Sequence, residues 1–134
     1  MVLQSFGKGK ALWVAAPIET SSEAVNANLF LSLLQRALPR PYKFEVETHP
    51  AVEMTLFHQA EKQRLLAGLL NMPQQMPPIP VGAMVRVQPP PGRKVTGVFH
   101  LPERKALKFD VAGPYIQFKL EPFDSLSMAM VEYE

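Results

Sequence analysis

Glu45, Glu47 and His49 alternate in the segment E-V-E-T-H, so a strand through them turns two carboxylates and an imidazole to one face. At steps of about 7 Å such a set could hold a divalent cation. The same pattern fits a solvated strand face running into Pro50, because charged side chains are mostly exposed. The sequence offers no obvious further ligand, and the solvated face is the reading adopted. Gly7-Lys8-Gly9-Lys10 has the composition of a phosphate loop. A phosphate cradle, however, needs its glycines to open a helix, where backbone donors and the dipole face the anion. Here they precede an apolar run, so a turn into a strand is expected.

The remaining chemistry-bearing residues are scattered. His49, His58 and His100 show no His-x-His or His-x-x-x-His spacing, and cysteine is absent. Neither a structural zinc site nor a disulfide framework is therefore expected. Ser5, Ser21, Ser22, Ser32, Ser125 and Ser127 are the serines, and none stands in a G-x-S-x-G elbow, so a nucleophilic triad is not expected. Carboxylate pairs for sugar hydrolysis are spatial, but most of the 12 acids flank turns or alternate with lysine. Tyr42 and Tyr115 are the candidate sugar or interface contacts, while Trp13, among apolar neighbours, is assigned to the core.

The elements that must position these residues fall into two unlike parts. Ala11 to Ala16 is a continuous apolar run, as in a strand covered on both faces. Thr20 and Glu23 have capping-box spacing, and Val25, Leu29, Phe30, Leu33, Leu34 and Ala37 then recur at helical intervals up to Pro39 and Pro41. One strand and one helix cannot cover each other on all sides. The apolar flank of this helix is therefore a candidate interface.

From Val52 onward the period shortens. Met54, Leu56 and His58 alternate, and Leu65 to Leu70 is apolar at every position, predicting a strand buried on both sides. The prolines between Asn71 and Pro80 make a stiff extended connection. Alternating faces follow at Ala83/Val85/Val87, Leu107/Phe109/Val111 and Ile116/Phe118/Leu120, with Val95–Leu101 and Ser125–Tyr133 as further strands. Turns are expected at Pro89-Pro90-Pro91-Gly92 and Gly113-Pro114. Met128 and Met130 read as flexible core filler. Short strands at such intervals, separated by Pro and Gly, predict a mainly β fold, an antiparallel β-sandwich with an N-terminal strand–helix unit. The boundaries are 1–41 for the strand–helix unit and 42–134 for the sandwich. Leu29, Leu33, Leu66, Leu69, Val85, Phe109 and Phe118 are the expected core.

Bulk properties exclude several classes of function. With 14 Lys and Arg against 12 acids, the net charge is +2, although the sequence pI is near 9.0. Dispersed charge of that size does not suit nucleic acid, and no apolar run reaches the roughly 20 residues of a membrane span. The short apolar run after Lys10 does not make a signal peptide. The compartment stays open, with the cytoplasm favoured, and no cofactor is expected.

The order of segments carries a resemblance. G-K-G-K leads into the apolar run (7–16), followed by N-A-N-L-F (26–30), V-E-M-T-L-F-H-Q (52–59), R-L-L-A-G-L-L-N (64–71), G-R-K-V-T-G-V (92–98) and S-M-A-M-V-E-Y (127–133). This resembles the C-terminal end of bacterial β-galactosidase-type glycoside hydrolases with a trimerisation domain. The resemblance implies that a catalytic barrel and an α/β domain precede the sandwich, and that residues 1–41 are the strand–helix remnant of that α/β domain. It also implies that the catalytic acids belong to the barrel, and no position here matches them. The expected role is a non-catalytic accessory module of a carbohydrate-active hydrolase. Its expected partners are the catalytic domain or a second copy met through the helix flank. A free-standing carbohydrate-binding module is the alternative.

Overall fold

The computed structural model describes residues 1–20, 23–38, 42–73 and 77–134. The chain divides into two compact units, Met1–Pro41 and Tyr42–Glu134.

The first unit is an antiparallel hairpin of β1 (Val2–Phe6) and β2 (Gly9–Trp13), then a single 3-10 turn (Ile18–Thr20) and helix α1 (Ala24–Ala37). The G-K-G-K segment is the hairpin turn: Phe6 pairs with Gly9, and Gly7 takes φ 57° at the first central position, as a type II′ turn requires. The expected doubly covered strand is corrected here. β2 stops at Trp13, its positions other than Leu12 are exposed, and Trp13 itself is exposed rather than core. A hairpin supplies no second layer to cover it. The expected capping box is also replaced. The Thr20 hydroxyl donates to the Pro17 carbonyl at 2.8 Å, and Glu23 is the N-cap, its carbonyl accepting from the Asn26 and Ala27 amides. Ser21 and Ser22 lie outside the described residues.

Helix α1 buries Leu33, as expected, whereas Leu29 is exposed along with Val25, Leu31 and Leu38. Pro39 and Pro41, the expected helix stops, lie outside the described residues. Leu38 is already extended (φ −77°, ψ 141°), the conformation that a following proline ring imposes.

The second unit is an antiparallel β-sandwich. One sheet has the order β3-β6-β10-β9, comprising β3 (Phe44–Glu47), β6 (Val81–Val87), β10 (Tyr115–Phe123) and β9 (Phe109–Ala112). The other has the order β4-β5-β11-β7-β8, comprising β4 (Val52–Gln59), β5 (Arg64–Asn71), β11 (Leu126–Tyr133), β7 (Val95–Leu101) and β8 (Lys105–Ala106). Two tight turns set the registers of adjacent strands. Gly113-Pro114 joins Ala112 to its partner Tyr115, with Gly113 at φ 61°. A 3-10 turn with left-handed Gln63 joins β4 to β5.

Period-2 alternation explains the core. Val85 lies between Val46 and Phe118, and Val87 between Phe44 and Ile116, all on the inner face of the four-stranded sheet. Against them stand Leu65, Ala67 and Leu69 of β5 with Ala129, Val131 and Tyr133 of β11. Phe109 is partly buried against this cluster, and Val111 is exposed because β9 is the sheet edge. The run Leu65 to Leu70 is not buried on both sides. Its odd positions fill the core, while Leu66 is half-buried and Leu70 is 41% exposed on the outer face. Met128 and Met130 share that outer face with Leu66; Met130 is buried as expected of filler, at 3% exposure with the Arg64 guanidinium on its sulfur, whereas Met128 is half-buried.

Asn71 closes one end of the sandwich. Its buried amide group donates to the carbonyls of Ile79 (3.1 Å) and Asp124 (2.8 Å), tying the chain entering β6 and the β10–β11 turn to the end of β5. Asn71→Ala leaves both carbonyls without that donor and should cost about 1–3 kcal/mol, read as a lowered urea midpoint at unchanged slope. Leu69 is fully buried. Leu69→Glu places an uncompensated carboxylate there, which should cost several kcal/mol and abolish a cooperative melt. An unchanged melting curve would remove Leu69 from the interior.

Candidate functional site

Three surfaces of the sandwich bring polar or apolar groups together, and each makes different chemistry possible. The outer face of the four-stranded sheet is polar and centred on Arg86. In register, Glu45, Arg86 and Gln117 form one row across β3, β6 and β10. The Arg86 guanidinium meets Glu47 at 2.6 Å and Glu45 at 3.6 Å, and its Nε donates to Gln117 at 2.9 Å. The Tyr115 hydroxyl donates to Glu45 at 3.1 Å. The two carboxylates do share a face, as their spacing predicts, and the cation facing them is a guanidinium. Arginine's fork suits two carboxylates at once. His49 is not with them, because β3 ends at Glu47. Its Nδ1 instead accepts from the Ala51 amide at 3.1 Å. Among the described residues, no group of three His, Asp or Glu side chains is placed to hold a metal ion.

The second surface is a cleft of about 930 Å³ at the Asn71 end of the sandwich, lined by His49, Glu53, Met72, Pro77 and Ile79 among others. The Ala51 amide fixes His49 as the tautomer with its proton on Nε2, so the ring can act as a donor there. Glu53 is an exposed acceptor, and Asn71 is spent on structural carbonyls. Among the described residues the lining holds no serine, threonine or lysine.

Two histidines that sequence spacing could not pair are paired through the fold. His58 Nε2 lies 2.7 Å from the Tyr133 hydroxyl, at the inner edge of the five-stranded sheet. His100 Nε2 lies 3.2 Å from Ser127 Oγ, and its Nδ1 lies 3.8 Å from Glu103. Serine, imidazole and carboxylate therefore stand in triad order. The geometry does not serve catalysis: Ser127 is 3% exposed in a regular strand opposite Leu69, so no carbonyl carbon can reach its oxygen. The bond satisfies a buried hydroxyl instead. Only long-range register brings these residues together, which is why their positions 27 apart gave no sequence signal.

The third surface is the outer face of the five-stranded sheet. Phe57, Leu66, Met130 and Phe99 form one row across β4, β5, β11 and β7. Thr55, Gly68, Met128 and Leu101 form the next, and Glu53, Leu70 and Leu126 the third. Phe57 is 62% exposed and Leu126 60%. Of the charged groups on this face, Glu53 is exposed on the edge strand, while Arg104 bonds Glu132 at 2.8 Å and stacks over Phe99 at 5.0 Å, and Arg64 donates to Gln59 at 2.6 Å. Tyr42 and Tyr115 are half-buried, with Tyr115 in the Arg86 network.

Among the described residues no helix is long and apolar enough to cross a membrane. No family model matches the chain, and no curated protein sequence does. Among solved structures it is similar in fold to α-L-fucosidase isoenzyme 2 from Paenibacillus thiaminolyticus, with a TM-score of 0.71 at 22% sequence identity. The match covers 86% of this chain and 19% of the fucosidase chain, so most of this sequence is similar in fold to a small part of a much longer protein.

Proposed function

We propose that this chain is a non-catalytic accessory module of a carbohydrate-active glycoside hydrolase, one that supports or assembles the catalytic part. The observation that carries this reading is the fold likeness to a fifth-length portion of an α-L-fucosidase. A module of that kind leaves bond cleavage to another part of the enzyme, while it folds stably and presents a surface. The continuous core, the internally engaged Arg86 network and the apolar outer sheet face all support such a role. The order of sequence segments, similar to the C-terminal end of β-galactosidase-type hydrolases, agrees with it. The bacterial origin and the partner in assembly belong to the same proposal.

Calorimetric titration of the full chain with a panel of oligosaccharides tests the proposal. The expected result is no heat beyond dilution, together with no release of nitrophenol from aryl glycosides. A saturable heat that Tyr42→Ala or Tyr115→Ala removes would replace the accessory reading with that of a carbohydrate-binding module.

A further inference from the structure

We infer that the free edge of β4 pairs with β4 of a second copy of this chain, joining two five-stranded sheets into one. This goes beyond the accessory reading and does not depend on it. An exposed strand edge is ordinarily blunted by shortness, charge, proline or a bulge. Three edges of the sandwich follow that rule: β8 has two residues, β9 four with Asp110 among them, and β3 four with Glu45 and Glu47. The fourth edge does not. β4 runs for eight residues in unbroken register with β5, without proline, lysine or arginine and with Glu53 as its one acid. The Met72 amide donates to the Ala51 carbonyl at 2.9 Å, and the Asn71 amide to the Ser125 carbonyl at 2.8 Å. Even positions of β5 therefore bond to odd positions of β4. The amides and carbonyls of Met54, Leu56 and His58 point away from β5 along the edge, whereas the Val52 amide is taken by the His49 carbonyl.

The residues of this edge say what pairs with it. About a two-fold axis at Leu56, Met54 lies opposite His58 of the copy. Each of the three outward residues then exchanges two bonds with its opposite number, about six in all. That is within the usual complement of a protein interface, about 5–15. On the outer face Thr55 meets Phe57, and Glu53 meets Gln59. Gln59 accepts from Arg64, so Glu53, which has no ion pair among the described residues, comes within one strand of a guanidinium of the copy. Symmetry forms this contact twice. A slip of two residues in either direction loses a bonded pair, and one of the two slips sets Glu53 against Phe57. The strand is thus complementary to itself in one register, with no like charges opposed. The contact is one strand wide, so the dimer is weak and forms at high concentration.

The test follows amide hydrogen exchange of the full chain at rising concentration, alongside sedimentation equilibrium up to about 1 mM. The expected result is a monomer–dimer equilibrium in which the amides of Met54, Leu56 and His58 gain protection. Those of Thr55 and Phe57, already in the ladder with β5, should not change. Leu56→Pro and Leu56→Ala remove the same side-chain contacts, and only proline removes the outward amide. Proline should therefore weaken dimerisation about tenfold relative to alanine, since the symmetric pair loses two bonds. Should a melt show either variant unfolded, Glu53→Arg on the exposed face carries the test by charge, with about a threefold loss expected. Leu126→Lys, on the same outer face but away from this edge, should leave the equilibrium unchanged. A monomer at about 1 mM would overturn the inference. So would a dimer that leaves the three amides unprotected, or one that Leu126→Lys abolishes.

Discussion

The sandwich depends on β5 and β11 lying side by side at the centre of one sheet, with Leu65, Ala67, Leu69, Ala129 and Val131 turned toward the other. Small residues at 67 and 129 let Val85, Val87 and Phe118 of the facing layer fill the space between the sheets. Side chains of a strand alternate, so this commitment fixes the direction of every even position as well. In β5 those even positions are Leu66, Gly68 and Leu70, and in β11 they include Leu126, Met128 and Met130. The apolar outer face follows from the same registers that build the core.

Much of the fold is legible in the sequence because period-2 alternation and turn chemistry are local. Ala83/Val85/Val87 and Ile116/Phe118/Leu120 are buried as their spacing predicts, and Gly113-Pro114 forms its turn. Local signals fail where the meaning of an apolar residue depends on what lies above it. Leu65 to Leu70 is uniformly apolar, which in sequence reads as a strand between two layers; in the structure its odd positions are buried against the facing sheet, while Leu66 is half-buried and Leu70 exposed. Trp13 and Leu29 fail likewise, since a two-stranded hairpin and one helix bury little of each other. The strand Val2–Phe6 has no alternation to announce it and forms because Gly7 allows the chain to reverse.

The polar chemistry is less legible, and the reason is distance along the chain. That Glu45 and Glu47 share a face follows from their spacing, but Arg86, which neutralises them, lies far along the sequence and arrives through the β3–β6 register. The same holds for Glu103, His100 and Ser127, whose order suggests hydrolysis until the burial of Ser127 is taken into account. In each network the reactive-looking groups have bonded to one another. Arg86 is held by two carboxylates and an amide, and their partial exposure keeps the net stabilisation of such pairs modest.

This difference between the two outer faces bears on how the module can associate. Separating Arg86 from Glu47 to admit a partner would strip a charge of its counterion, so a partner on that face must replace interactions already made. On the other face Phe57, Leu70 and Leu126 make no polar bonds that covering would break, and each square ångström removed from water contributes about 25 cal/mol. Arg64 and Arg104, already bonded to Gln59 and Glu132 at the border, can keep those bonds while the centre is covered. Desolvation thus disfavours the polar sheet as a contact surface and favours the apolar one.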